Sequence, residues 1–248
     1  MAQTMQRPGA DAPVVHPRPA RKATWPVEFY RSAVGKKWVM AITGILLLGF
    51  VVAHMVGNLK MYLGREEIDH YAEGLRTLLY PILPKEVALW GMRLGLVGAL
   101  IFHVHSAITL TQMNRRARPT GYQSPRDYVA VNFASRTMRY TGLIMFLYIV
   151  FHLLDLTIGT TNPDFEHGKV YDNLVASMSR PVVAIVYIVC NIAVAVHLFH
   201  GTWSMFQSMG LNNPRYNAAR RAFAVGISSL ILVGNVSFPV MILAGVVH

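Results

Sequence analysis

Between Lys37 and Lys60 the chain reads WVMAITGILLLGFVVAHMVGNL, 22 residues without a charge. As a helix this run spans about 33 Å, the thickness of a bilayer's hydrocarbon core. Such a segment has few other ways to fold, because in lipid every backbone polar group must be satisfied within the segment. The run also carries His54, an ionisable group at membrane depth, which points to a function and requires a partner.

Three further stretches have the same design. One covers about Val87 to Met113 and holds Arg93 near its start with His103 and His105 inside. Another covers Met138 to Gly159 with His152 and Asp155, and a third, Pro181 to Pro214, is uncharged and holds Cys190, His197 and His200. A fifth span, about Ala222 to Val247, has no internal histidine. The expected fold is therefore all-α: a polytopic bundle of five transmembrane helices over residues 36–248, four of them carrying histidines, behind a soluble tail of residues 1–35. That tail is rich in Pro, Arg and Ala and lacks the apolar core of a signal peptide. Residues 61–86 read as a loop with a short amphipathic helix around Ile68 to Leu79, and TTNPDFEHGKVYDN as a polar connection.

Composition agrees: 53% of the residues are hydrophobic and 14% charged, well below the charged share of a soluble domain. A net charge of +11 would suggest nucleic acid in a soluble protein, but here the basic residues collect in the loops of one side. Of 23 Lys and Arg, 16 fall in the tail to Lys37, in Arg115 to Arg139 and in Arg215 to Arg221. By the positive-inside rule the expected orientation in the cell's inner (plasma) membrane is N-terminus cytoplasmic and C-terminus external, and nucleic acid is not an expected partner. Cys190, the single cysteine, can form no internal disulfide and cannot hold an iron–sulfur cluster alone.

Depth sorts the histidines. Measured from the external ends of the helices, His54 lies about 9 Å deep, His152 about 12 Å, His103 about 20 Å and His197 about 24 Å. His54 with His152 forms an outer layer and His103 with His197 an inner one. Two imidazoles facing each other across a bundle clamp a haem iron from both sides. One intramembrane histidine is ordinarily a hydrogen-bond donor between helices; four, one per helix and paired by depth, favour ligation. His105 points about 200° away from His103, so one of the two faces the core. His200, a turn beyond His197, stands beside the ligands, where it could bond a haem propionate or a quinone. Small residues near the histidines, Gly49, Ala53, Gly57, Gly95, Gly98 and Ala99, would admit a flat macrocycle or equally serve close helix packing. Asp155 either relays protons to a quinone or pairs with a basic loop residue; Glu66, Glu67, Asp69 and Glu73 are weaker candidates for that relay. Arg31, Lys36, Lys37 and Arg139 are candidates for propionate contacts that the positive-inside rule also explains.

Over residues 36–245 the chain resembles the membrane cytochrome b subunit of succinate dehydrogenase, in the class with one five-helix polypeptide and two b haems. MAITGILLLGFVVAHMVGNLKMY, LIFHVHSAITLTQMNRRAR, RYTGLIMFLYIVFHLLDLTIG and VHLFHGTWSMFQSMG carry the resemblance. Its motifs place a ligand eleven residues before Asn114, selecting His103 over His105, and four before Gly201, selecting His197. His54 and His152 would then bind the distal haem iron and His103 and His197 the proximal one. The resemblance implies an FAD-containing flavoprotein subunit and an iron–sulfur subunit docked at the cytoplasmic face. It also implies a quinone substrate, menaquinone by expectation, and leaves room for a higher oligomer. The same architecture resembles the anchor of quinol:fumarate reductases. A His/Asp-based transporter is the competitor from another class, although such folds usually show an internal repeat and none is clear here.

Overall fold

The computed structural model describes residues 24–117, 131–211 and 213–248, the first six of the second stretch by backbone alone. Residues 1–23 of the expected tail, and most of the basic loop at 118–130, lie outside the described residues. Those described are helical, and no strand occurs among them.

Thr24 and Pro26 start a short helix, α1 (Trp25–Arg31), where the sequence suggested only a tail. At Ser32 the backbone turns extended, and the Ser32 hydroxyl accepts from the Gly35 N–H to cap α2 (Ala33–Asn58). A tight turn over Leu59–Leu63 leads to α3 (Arg65–Arg76), then α4 (Val87–Ala117) and α5 (Val131–Leu153). The last turn of α5 widens to π geometry over Leu154–Ile158 and stops at Gly159, whose φ of 87° suits glycine. The connection expected to be irregular contains α6 (Val170–Met178); α7 (Pro181–Ser208) and α8 (Asn217–Leu243) complete the chain. Five helical stretches are long and apolar enough to cross a membrane: Ala33–Leu63, Val87–Ala117, Thr137–Ile158, Pro181–Ser208 and Pro214–Leu243. Their outward faces carry exposed apolar side chains such as Leu94, Ile101, Leu147, Val189 and Val233, as a lipid solvent allows.

α3 and α6 pack on each other and close one end of the bundle. Their core joins Met61, Ile68, Tyr171, Leu174 and Met178 to Tyr187 of α7 and Phe238 and Ile242 of α8. An ion pair between Arg65 and Asp172, and the Asp69 carboxylate accepting the Tyr171 N–H at 3.1 Å, fix the two short helices together. Short amphipathic segments gain their stability from such packing and not from propensity.

The long helices associate in pairs. α4 packs on α2 and α5 on α7, while α8 lies along α7 and touches α2; α4 and α5 have at most marginal contact with each other. A repeat underlies this pairing. Met40, Thr43, Gly44 and His54 of α2 recur in α5 as Met138, Thr141, Gly142 and His152, at identical offsets. His103 and His197 each stand 16 residues beyond the first residue of their helices, Val87 and Pro181. Each unit is a long helix, a short capping helix and a returning long helix. The chain is thus built from two parallel units, α2 to α4 and α5 to α7, followed by α8.

Candidate histidine site

The four layered histidines stand on the two helix pairs, two on each. At the capped end His54 of α2 meets His152 of α5 with ring centroids 5.8 Å apart and planes 89° to one another. Phe50, one turn back on α2, stacks on His54 at 5.3 Å. Behind His152 stand Tyr148 and Tyr187, with ring centroids at 5.9 and 6.0 Å. The Tyr187 hydroxyl lies 3.5 Å from His152 Nδ1, the long limit of a hydrogen bond, and donates its proton to Asp155 at 3.0 Å.

Deeper in the bundle His103 of α4 and His197 of α7 occupy matching places beside α2 and α5. His103 Nδ1 lies 3.1 Å from the Thr43 hydroxyl of α2, and His197 Nδ1 lies 3.3 Å from the Thr141 hydroxyl of α5. The glycine after each threonine makes room for the ring. A Cβ at Gly44 would stand 3.4 Å from His103 Cε1, and one at Gly142 would stand 3.7 Å from His197 Cε1.

Asp155 is fully buried beneath α6 and accepts from four side chains. Arg180 donates at 2.7 Å, Tyr187 at 3.0 Å and Thr161 at 3.2 Å, and Ser177 is the fourth partner. Arg180 also donates to the Thr161 carbonyl at 2.7 Å. A second polar chain continues inward: Asn235 of α8 donates to Asn191 of α7 at 3.0 Å, and Asn191 donates to the Tyr148 hydroxyl at 3.3 Å. Sequence reasoning missed Tyr187 and Asn191, neutral polar residues within an apolar span, and Thr161 and Ser177, in the connection and short helix before it, because none of them gives a spacing signal. Thr43 and Thr141 did carry one, the shared Thr-Gly placed ahead of each histidine.

The remaining candidates are dispersed. His105 is exposed, and its Nδ1 lies 2.5 Å from the Tyr30 hydroxyl of α1, on the other side of α4 from the histidine layers. His200 is half-buried, with Nε2 3.3 Å from Ser204. Lys36 is buried, its ammonium 4.3 Å over the Tyr30 ring, whereas Arg31, Lys37 and Arg139 are exposed. Glu66, Glu67 and Glu73 lie on the exposed face of α3; Glu67 and Glu73 pair with Lys60 and Arg76. Of the small residues, Gly57 is packed against Tyr71, so helix packing accounts for it, while Gly49, Gly95 and Gly98 face open space.

These residues fit an axially clamped haem. Among the described residues no three histidine, cysteine or acidic side chains converge as a metal-ion cage would require. His54 and His152 face each other as a pair, which suits an iron whose equatorial positions a macrocycle would fill. At the inner pair the Nδ1 atoms are held by threonines, leaving Nε2 to ligate. The two helix pairs touch mainly through α2 and α7.

No curated protein and no solved structure matches the chain significantly. Residues 130–236, from α5 into α8, match the family described as the succinate dehydrogenase/fumarate reductase transmembrane subunit.

Proposed function

We propose that this chain is the membrane-anchor cytochrome b subunit of succinate dehydrogenase, carrying electrons from an iron–sulfur subunit through two b haems to a quinone. The observation that carries the proposal is the facing of His54 with His152 at one depth, above a second pair, His103 with His197, held by matched threonines. Each histidine pair would hold one haem, which would supply one-electron transfer there.

The chain's own residues would do the rest. α2 and α4 present His54 and His103 from one side, and α5 and α7 present His152 and His197 from the other. Phe50 holds the plane of His54, and Tyr187 backs His152. α3 and α6 cover the capped end and exclude water from Asp155, which the positive-inside rule places externally. Quinone, menaquinone by this reading, would react near that end. The FAD-containing flavoprotein and the iron–sulfur subunit would dock at the opposite, cytoplasmic end. Running in reverse, the same arrangement would serve a quinol:fumarate reductase, and the matched family spans both.

A pyridine haemochrome assay on the purified complex tests the proposal. Two haem b per copy of this chain is the expected result; a count near zero discards the cytochrome reading.

A further inference from the structure

Thr43 and Thr141 are placed to do more than make room. A threonine hydroxyl has one proton, and at both sites the backbone is in position to take it. Thr43 Oγ1 lies 2.7 Å from the Val39 carbonyl, and Thr141 Oγ1 lies 3.1 Å from the Thr137 carbonyl, each four residues back in its own helix. With that proton committed, the hydroxyl faces the imidazole with its lone pairs. His103 and His197 must then be the donors, so both rings carry their proton on Nδ1 and leave the Nε2 lone pair free.

We infer that Thr43 and Thr141 form two equivalent clamps that fix the tautomer and orientation of the inner histidine pair and set the reduction potential of the iron it ligates. The inference rests on the proposed two-haem reading and deepens it. Each threonine is a positioning residue acting through its histidine. A ligand imidazole that donates Nδ1–H to a strong acceptor is a more basic donor at Nε2, which favours the ferric state. Removing the acceptor therefore raises the potential. His54 and His152 have no such threonine, so the effect is confined to one of the two irons.

The experiment is a redox titration of both haem α-bands in membranes carrying the full complex, comparing wild type with T43V, T141V, T43S and T141S. Each valine variant is expected to raise the same one of the two potentials. A tenfold loss of ferric preference corresponds to about 59 mV for one electron. The other potential stays in place, and the serine variants, which keep the hydroxyl, match wild type. If a valine variant fails to accumulate, the alanine variant at that position provides the measurement. Unchanged potentials in both hydroxyl-free variants overturn the inference, as does movement of different haems by the two substitutions. Wild-type complex without haem refutes the two-haem reading itself, before any variant is compared.

Discussion

The Asp155 carboxylate is wholly shielded from solvent, and its ion pair with Arg180, 2.7 Å long, joins the last turn of α5 to the residue that precedes α7. The π-wide turn over Leu154–Ile158 carries Asp155 on the side where Ser177, Arg180 and Tyr187 converge. Such turns are frequent at functional sites, and here the turn positions an acceptor for four donors.

Asp155→Ala should therefore destabilise the capped end. It leaves a guanidinium and three hydroxyls without their shared acceptor. Breaking a buried pair costs about 3–5 kcal/mol, and the lower end applies because a third of the Arg180 side chain remains in solvent. Thermal unfolding of the detergent-solubilised complex should show the loss. Asp155→Asn, which retains one acceptor oxygen, should fall between the alanine variant and wild type.

The two histidine layers make separable predictions about haem content. Replacing His54 or His152 by alanine should lower the count from two to one, and so should replacing His103 or His197. Combining one change from each layer should abolish haem, while two changes within a layer should still leave one. A single replacement that left both haems bound would show that its histidine is no ligand.

His105 should behave differently although it lies two residues from His103. Its ring stacks on Tyr30 at 5.8 Å and is bonded to that hydroxyl, on a surface of α4 that looks toward α1. His105→Ala should keep two haems per chain with unchanged absorption maxima. A loss of haem would mean that His105, and not His103, completes the inner pair.

How much of this was legible beforehand follows from the physics of each signal. Lipid imposes a long uncharged run, so all five spans could be read directly, and histidine depth along them followed from helix rise alone. The capping helices were harder. α3 was visible because Ile68 and its neighbours alternate with charges, but α6 sits among Asn, Asp and Gly residues whose turn signal dominates. What stabilises α6 is contact with Met61, Ile68 and Tyr187, all distant in sequence. The repeat escaped because few residues of α2 and α5 are shared at a fixed offset, among apolar residues that lipid leaves free to vary. The partner of Asp155 could not be chosen from sequence either. Several basic residues lay within reach, and only the fold of α6 brings Arg180 to it.

The last prediction concerns how α1 is held against the membrane helices. Gly35 lies in the first turn of α2, directly under the end of α1. A Cβ there would stand 1.9 Å from the Phe29 carbonyl oxygen and 2.6 Å from its carbon. Backbone atoms cannot rotate aside as a side chain can, so Gly35→Ala must separate α1 from α2. Overpacking of this kind costs about 1–3 kcal/mol, and displacement of α1 is the cheaper outcome because few contacts hold it. Among those contacts are the Tyr30–His105 bond and the Lys36 ammonium over the Tyr30 ring. Both should be lost together in the variant. Amide hydrogen exchange over Val27 to Ser32 should then quicken while the haem count stays unchanged, because the four proposed ligand positions lie deeper on other turns. Protection equal to wild type would show that α2 itself can shift at its first turn without releasing α1.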